Sequence, residues 1–272
     1  MEQRKIAFIG AGNMTRSIVA GLVASGYRPD CITATNPSEA KLVALQQAYD
    51  IQVTTNNAEA AQQADVIVLA VKPQLMEQVA KPLQSIDFHG KLVISIAAGI
   101  SIERLQQMFA SPLNLIRVMP NTPSLLGEGM SGLFASPITP VSDKTYAGEL
   151  MQAVGKVCWV EQESSINDII AAAGSAPAYF FLFMEAIQQQ AIASGFDEET
   201  ARLLVQQTAL GAAKMVDENP ETDLATLRQQ VTSKGGTTAE AVRTLEENDI
   251  RGIVAKAMQA AVTRAEEMEK LF

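Results

Sequence analysis

A strand, a glycine-rich turn and a helix start follow one another in Ile6-Ala7-Phe8-Ile9-Gly10-Ala11-Gly12-Asn13-Met14-Thr15. Gly10 permits a tight turn, and Gly12 lets the backbone approach a pyrophosphate at the positive end of a helix. Thr15 stands where the usual fingerprint has its third glycine, so we expect slightly looser packing of the helix on the strand. The stretch predicts a dinucleotide site at the head of an α/β domain.

Short β-branched segments alternate with helical patterns over the first half of the chain, which predicts a doubly wound, Rossmann-like α/β fold. Val66–Val71 is apolar on both faces, as expected for a strand that helices cover on either side. We predict a dinucleotide-binding Rossmann domain over residues 1–162 and an all-α domain over residues 163–272. The predicted strands are Lys5–Ile9, Cys31–Thr35, Gln52–Thr54, Val66–Val71, Leu92–Ile96, Leu113–Val118, Met130–Phe134 and Val157–Val160, with early helices over Met14–Ala24, Ser38–Ala48 and Gln74–Leu83.

The second half of the chain shows only helical patterns. Ala178–Ile192 is apolar nearly all round, which predicts a helix that is buried on every side and has Pro177 in its first turn. Further apolar stripes follow Asp197 and Asp249. These faces are too apolar for one small bundle to hide. We therefore expect a second copy of the chain to cover part of them.

A second glycine-rich turn lies near the C-terminus, in Ser233-Lys234-Gly235-Gly236-Thr237-Thr238, and opens onto a helical apolar pattern. Backbone N–H groups and hydroxyls at such a helix start can hold a small anion. Two anion-binding turns in one chain indicate that the protein brings a cofactor and a substrate together.

Composition narrows the range of partners. The net charge of −9 and the lack of a basic stripe argue against nucleic-acid binding. Two cysteines and one histidine are too few for a metal cluster, so we expect no metal. The N-terminus leads into a strand rather than a signal peptide, and no apolar run approaches about 20 residues. We therefore expect a cytoplasmic protein without a membrane-spanning segment.

The residues after the second predicted strand indicate which dinucleotide binds. NAD sites usually place a carboxylate there to hold the ribose hydroxyls, whereas this segment reads Thr35-Asn36-Pro37-Ser38. Asn36, Ser38 and Lys41 can bind a 2′-phosphate, so NADPH is the predicted cofactor and NADH the alternative. Asn36 and Ser38 can also simply cap the next helix.

Three further strands end in turn residues at the edge where open α/β sheets bind ligands. Each of these segments is also typical of an ordinary turn, because proline and asparagine punctuate turns. The small residues of the second suit a flat nicotinamide ring close to the backbone. The segments are Ala70-Val71-Lys72-Pro73, Ser95-Ile96-Ala97-Ala98-Gly99 and Met119-Pro120-Asn121-Thr122-Pro123.

Acid–base residues are scarce near these turns. His89, the only histidine, lies in a loop at the amino end of a strand, opposite the expected crevice, so we expect it to face solvent. A reductase without a catalytic histidine needs a substrate that requires little help with protons, and a cyclic imine fits. The N–H groups of Gly236–Ala239 would hold its carboxylate, and Thr238 would hydrogen-bond its nitrogen.

With these segments, the chain resembles the Δ1-pyrroline-5-carboxylate reductase family over its whole length. The resemblance implies a Rossmann domain followed by a helical domain that interlocks with a partner's to form a dimer, and such dimers often assemble into decamers. The matching segments, in the family's order, are Phe8-Ile9-Gly10-Ala11-Gly12-Asn13-Met14, Ala70-Val71-Lys72-Pro73, Ser95-Ile96-Ala97-Ala98-Gly99, Arg117-Val118-Met119-Pro120-Asn121-Thr122-Pro123, Gly174-Ser175-Ala176-Pro177-Ala178-Tyr179 and residues 231–246.

The resemblance also implies roles for individual residues. Thr238 falls where the family has its imine-bonding threonine, which makes it the catalytic residue. Two positions depart from the family pattern: Thr15 replaces Gly or Ala, and Ala176 replaces Gly or Ser, both by small residues. The implied substrate contacts are Ser233, Gly235, Gly236, Thr237 and Thr238, and the implied cofactor contacts are Gly10, Ala11, Gly12, Asn13, Met14, Asn36, Asn57, Ala70, Val71, Lys72, Pro73 and Ala97.

Two other functions compete with this interpretation. A β-hydroxyacid dehydrogenase shares the layout but carries a catalytic lysine and asparagine on the first helix of its second domain, where this chain has Phe180 and Met184. Without that general acid–base a hydroxyacid is not readily oxidised. A non-catalytic NADP-binding regulator can use the same fold, and it would bind the cofactor without turning it over.

Overall fold

The computed structural model describes residues 1–271, and the first half of the chain forms one sheet of eight strands in the order β3-β2-β1-β4-β5-β6-β7-β8. Strands β1 to β6 run parallel, β7 pairs antiparallel to β6, and β8 is parallel to β7. All eight predicted strands are confirmed. They are β1 Ile6–Ile9, β2 Ile32–Thr35, β3 Gln52–Thr54, β4 Val66–Leu69, β5 Leu92–Ser95, β6 Asn114–Met119, β7 Gly129–Ala135 and β8 Gly155–Trp159.

Helices flank both faces of this sheet. Because side chains alternate along a strand, Ile6 and Phe8 of β1 enter one core while Ala7 and Ile9 enter the other. All four are 0–1% exposed. This two-sided burial confirms the predicted doubly wound class and explains why β1 is apolar without alternation. The helices of this half are α1 Asn13–Ala24, α2 Glu39–Tyr49, α3 Asn57–Gln63, α4 Met76–Leu83, α5 Ile102–Phe109, α6 Val141–Gln152 and α7 Ser165–Ile169.

The second half is helical, as predicted, and contains no strand among residues 163–271. A π-helical turn over Ile170–Gly174 joins α7 to the long helix α8, and Pro177 lies in the first turn of α8. Asp197 begins the next helix by accepting the Thr200 N–H. The remaining helices are α8 Ala176–Ala193, α9 Glu198–Asp217, α10 Leu224–Gln230, α11 Thr237–Glu247 and α12 Ile250–Leu271.

Helix α8 is not buried on every side within one chain, contrary to the expectation from its composition. No residue of α8 is fully buried, and Phe180, Phe181 and Leu182 are more than 60% exposed. The helix packs on α9, which can cover only one of its faces. Within one chain the other faces lie open, as expected if a second copy covers them.

The expectation that no apolar run reaches bilayer-spanning length is also wrong. Among residues 1–271, Ser165–Ala193 forms 29 helical residues that contain a window of mean hydropathy 1.5, enough by length and composition alone to cross a membrane. The π-helical turn Ile170–Gly174 links α7 to α8, so its apolar residues extend the apolar run of α8. Only 11% of that window is buried within the chain. The apolar surface of α8 therefore needs a cover from outside the chain.

Two compact units divide the chain. The first comprises residues 1–175 together with the end of α12 from Ala260, and the second comprises Ala176–Gln259. The division differs from the predicted boundary after residue 162, because α7 packs against β6 and β7 of the first unit. Gly132 of β7 provides the space, since a Cβ there would lie 2.6 Å from a methyl carbon of Ile169.

Candidate active site

The glycine turn lies at the point where the strand order of the sheet reverses, between β1 and β4. Open α/β sheets bind ligands outside the carboxyl ends of their strands at such a point. Gly10 has φ +114°, and a Cβ there would lie only 2.6 Å from the Ala70 carbonyl oxygen. The Gly10 N–H donates to Thr35 O at 3.0 Å, and the Ala70 N–H donates to Ile9 O at 2.9 Å. Only glycine fits at position 10, because the nearest obstacle is the backbone of Ala70 and the φ angle is positive.

The residues of this turn fit a pyrophosphate. Gly12 is the N-cap of α1 and provides no side-chain cap, so the first N–H groups of the helix are available to a ligand. A Cβ on Gly12 would meet nothing within 4 Å, which leaves open space beside the backbone. The first turn of α1 contains no acidic residue that would repel an anion. Asn13 is exposed and Met14 half-buried at the same helix end.

Thr15 corrects one expectation from the sequence. Rather than loosening the packing of α1, its side chain is fully buried, and its hydroxyl donates to Gly10 O at 2.7 Å. The replacement of the third fingerprint glycine therefore adds a hydrogen bond to the turn. The sequence signal for this contact is a threonine five residues after the first glycine, close enough to reach back to its carbonyl.

The end of β2 offers polar groups, and residues 35–38 contain no carboxylate. Ser38 is the N-cap of α2, yet its side chain makes no capping hydrogen bond, so the hydroxyl stays available. Asn36 donates weakly to Ser38 O at 3.4 Å, and Lys41 is exposed. Glu39, which lies between Ser38 and Lys41 in the sequence, is exposed in the first turn of α2.

Asn57, which only the family resemblance indicated, is held by the same strand end. The Thr35 hydroxyl donates to Asn57 Oδ1 at 2.6 Å. This contact fixes the amide so that its NH₂ group remains free to donate. Thr35 was not identified from the sequence. Its side chain is fully buried, and its role depends on the tertiary contact between the end of β2 and the start of α3.

The loops after β4 and β5 lie at the same carboxyl-end edge of the sheet. Ala70, Val71 and Pro73 are half-buried, whereas Lys72 is exposed. Ala97 is 8% exposed, and its N–H lies 3.4 Å from the Ser95 hydroxyl. The small side chains after β5 keep the backbone accessible, as the sequence predicted. After β6, Asn121 is 8% exposed; its side chain accepts the Met130 N–H at 2.9 Å and donates to Ala173 O at 3.1 Å.

The second glycine turn belongs to the second unit and is built like the first. Gly235 has φ +71°, and the Gly236 N–H donates to Ser233 O at 3.0 Å. Gly236 is the N-cap of α11, again without a side-chain cap. Thr237 and Thr238 are exposed, and among residues 1–271 the Thr238 hydroxyl has no hydrogen-bond partner. An uncapped helix start with a free hydroxyl can hold a carboxylate and one further polar atom.

Conventional acid–base groups lie elsewhere. His89 is exposed in the loop before β5, at the amino end of the strand, so it cannot serve the crevice at the carboxyl ends. No group of three or more histidine, cysteine, aspartate or glutamate residues in the described part of the chain can hold a metal ion. The free hydroxyl of Thr238 is one of the exposed polar groups at the second turn, together with those of Ser233 and Thr237.

A Rossmann-like sheet with an uncapped glycine turn at its switch point defines the class of dinucleotide-binding proteins. Residues 5–99 match the family described as NADP oxidoreductase coenzyme F420-dependent, and residues 163–268 match the family described as pyrroline-5-carboxylate reductase dimerisation. A pyrroline-5-carboxylate reductase of Vibrio alginolyticus is 69% identical over 272 residues, which is 100% of both chains. The chain therefore belongs to the pyrroline-5-carboxylate reductase family.

Solved structures agree with this assignment. A pyrroline-5-carboxylate reductase from Coxiella burnetii superimposes with a TM-score of 0.92 at 43% identity, covering 98% of this chain and 99% of that one. A Plasmodium falciparum pyrroline carboxylate reductase with NADP bound gives a TM-score of 0.87 at 28% identity, covering 99% of both chains. The dimerisation match includes α8, and the protein is a homo-oligomer.

Proposed function

We propose that this protein reduces 1-pyrroline-5-carboxylate to L-proline with NADPH, the last step of proline biosynthesis. The observation that carries the proposal is the free Thr238 hydroxyl at an uncapped helix start, in a chain whose other half has a dinucleotide-binding turn. The exclusion of histidine from the crevice agrees with an imine substrate, whose nitrogen is basic enough to arrive protonated.

The cofactor would be held by the first turn and the neighbouring strand ends. The N–H groups from Ala11 to Met14 would bind the pyrophosphate, because they lie at an uncapped helix start with no acidic residue in its first turn. Asn36, Ser38 and Lys41 would bind the 2′-phosphate, Asn57 a ribose hydroxyl, and the loops at Ala70–Pro73 and Ala97 the remainder. When bound, NADPH supplies the hydride that the imine carbon accepts.

The substrate would be held by the second turn. Ser233, Gly235 and the N–H groups of Thr237 and Thr238 would bind its carboxylate, which the positive end of α11 favours. Gly236, whose own N–H already donates to Ser233 O, would let the substrate approach the backbone. The Thr238 hydroxyl would hydrogen-bond the ring nitrogen and orient the imine carbon toward the nicotinamide. The reduction needs no further proton donor, because the nitrogen keeps the proton with which it arrives and gains a lone pair as the C=N bond is reduced.

The two competing functions make different predictions. A β-hydroxyacid dehydrogenase requires a lysine and an asparagine on α8, and Phe180 and Met184 hold those places. A regulator would bind NADPH without consuming it. Imine-dependent loss of absorbance at 340 nm distinguishes the enzyme from the regulator, and its absence with active cofactor binding would favour the regulator.

Thr238→Ala tests the role of the hydroxyl. We expect kcat/KM to fall by the equivalent of about 1–3 kcal/mol, the range of one hydrogen bond to a charged group, with unchanged NADPH affinity. Thr244→Ala is the matched control, since it removes a hydroxyl from the same helix that only donates to Glu240 O. Loss of NADPH affinity in the Thr238 variant would show that the residue is misassigned.

The choice of NADPH rests on the polar end of β2. Lys41→Glu should raise the KM for NADPH more than that for NADH, because only NADPH carries the 2′-phosphate. Equal changes for both dinucleotides would place the 2′-phosphate elsewhere.

We further propose a cytoplasmic homodimer that assembles into a decamer, with a functional boundary between residues 162 and 163. The family match beginning at residue 163 supports that boundary. Sedimentation equilibrium of the full chain tests the assembly, and a mass of one dimer at all concentrations would exclude the decamer.

A further inference from the structure

We infer that Thr15 is a positioning residue for the cofactor: its hydroxyl holds the Gly10 carbonyl and thereby fixes the direction of the Ala11 N–H. The inference rests on the proposed NADPH site, but it concerns a residue for which the glycine fingerprint predicts no polar role. At this position the family resemblance implies Gly or Ala, neither of which can make the contact.

Both ends of Gly10 are held by fully buried groups. Its N–H donates to Thr35 O at 3.0 Å, and its carbonyl accepts the Thr15 hydroxyl at 2.7 Å. Thr15 is 0% exposed, so water does not compete for this hydrogen bond. The side chain of a residue in the first turn of α1 therefore ties the helix back to the turn that precedes it.

The geometry of the peptide group carries the consequence to the ligand. In a trans peptide the carbonyl and the N–H of the following residue point in opposite directions. The Gly10 carbonyl is turned inward to Thr15, so the Ala11 N–H points away from the buried side. Among residues 1–271 that N–H has no acceptor. It is an oriented donor at the place where the pyrophosphate is proposed to bind.

Glycine makes this anchoring useful. Gly10 has φ +114°, in a region that other residues rarely adopt, and glycine has more backbone freedom to lose than any other residue. Without a partner for its carbonyl, the peptide between Gly10 and Ala11 is free to rotate. Cofactor binding must then offset the conformational entropy that this peptide loses when it becomes ordered. A turn that is already fixed loses no such entropy on binding.

The experiment compares three variants of the full-length protein. Thr15→Val removes the hydroxyl with almost no change in shape, and Thr15→Ser keeps it. Ser17→Ala is the matched control: Ser17 is 3% exposed on the same helix, and its hydroxyl donates to Asn13 O at 2.8 Å. It therefore removes one partly buried hydrogen bond from α1 without touching Gly10.

The primary measurement is the dissociation constant of NADPH by calorimetry, with steady-state kinetics and thermal unfolding beside it. We expect Thr15→Val to weaken NADPH binding by about 3- to 10-fold, the range for one neutral hydrogen bond. The KM for NADPH should rise by the same factor. The kcat at saturating NADPH and the KM for the imine should not change. Thr15→Ser should bind NADPH within about twofold of wild type, and Ser17→Ala should bind it as wild type does.

Three results would overturn the inference while leaving the cofactor site intact. They are wild-type affinity in Thr15→Val, equal weakening in Thr15→Val and Ser17→Ala, and failure of Thr15→Ser to restore binding. The second would mean that α1 is merely loosened, and the third that the methyl group matters rather than the hydroxyl. Failure of the wild-type protein to bind NADPH would instead refute the proposed function itself.

Discussion

Removal of the Arg117 side chain on β6 should destabilise the first unit more than removal of any other charged side chain. Its side chain is 2% exposed, and Nη1 donates to Glu163 Oε1 at 2.7 Å and to Glu269 Oε1 at 3.1 Å. Glu163 Oε1 also accepts the Ile102 N–H at 2.7 Å, and Glu269 Oε2 lies 3.4 Å from the Asn167 side-chain nitrogen. One guanidinium thus joins the start of α5, α7 and the last turn of α12 to the sheet.

Arg117→Met should lower the free energy of unfolding by about 3 kcal/mol. Removing one partner of a buried ion pair typically costs 3–5 kcal/mol, and the lower end applies because Glu163 and Glu269 keep 29% and 25% of their surface in water. Glu269→Gln should cost only about 1 kcal/mol, since Glu163 still pairs with the arginine and an amide oxygen still accepts.

Urea unfolding followed by the fluorescence of Trp159 measures this change, because the only tryptophan lies on β8 of the same unit. Protein concentration must be held fixed, since oligomers gain stability by mass action. Arg264→Met is the matched control: it removes an exposed ion pair of α12 with Glu267 and should cost less than about 1 kcal/mol. Equal costs for the two methionine variants would refute the argument from burial.

Three further predictions concern the turn, the interface and a helix cap. Gly10→Ala should lower both thermal stability and NADPH affinity because of its positive φ, whereas Gly12→Ala, which has open space for a methyl group, should lower only the affinity; calorimetry and thermal unfolding separate them. Phe183→Asp should weaken the dimer by at least about 100-fold in sedimentation, since a charge would enter an apolar groove of about 760 Å³, while the equally exposed Val43→Asp should leave assembly unchanged. Hydrogen bonds from a backbone N–H and a hydroxyl lower the pKa of Asp223 below 3.8, so its stabilisation is present above pH 3.8 and is lost as the pH falls through the lowered value. Asp223→Asn should flatten the acid side of a plot of urea midpoint against pH, and an unchanged slope would contradict the assignment.

Most of the fold could be predicted because its signals are local. Apolar runs on both faces, such as Val66–Leu69, mark strands that helices cover on both sides, and all eight predicted strands form in the sheet. Ala178–Ile192 was correctly predicted as a helix, but it is not buried within one chain. The composition of the segment indicates that its faces need to be covered, but not which chain covers them.

The candidate site also contains residues that the sequence indicates and residues that it does not. Gly10, Gly12 and the Gly235–Gly236 pair were recognisable because a positive φ or an uncapped helix start requires few residue types. Thr35 was missed, since nothing near it in the sequence indicates that its hydroxyl would orient Asn57, 22 residues away.

The sequence by itself determined the alternating α/β half, the helical half and the two glycine turns, because backbone preferences and hydrophobic periodicity act over a few neighbouring residues. Only the tertiary structure decided the role of the buried polar groups. The Thr15 hydroxyl could have capped its own helix, and Arg117 could have faced solvent on a surface strand. A buried polar group must find a partner, and the partner available to it depends on which elements the fold brings together.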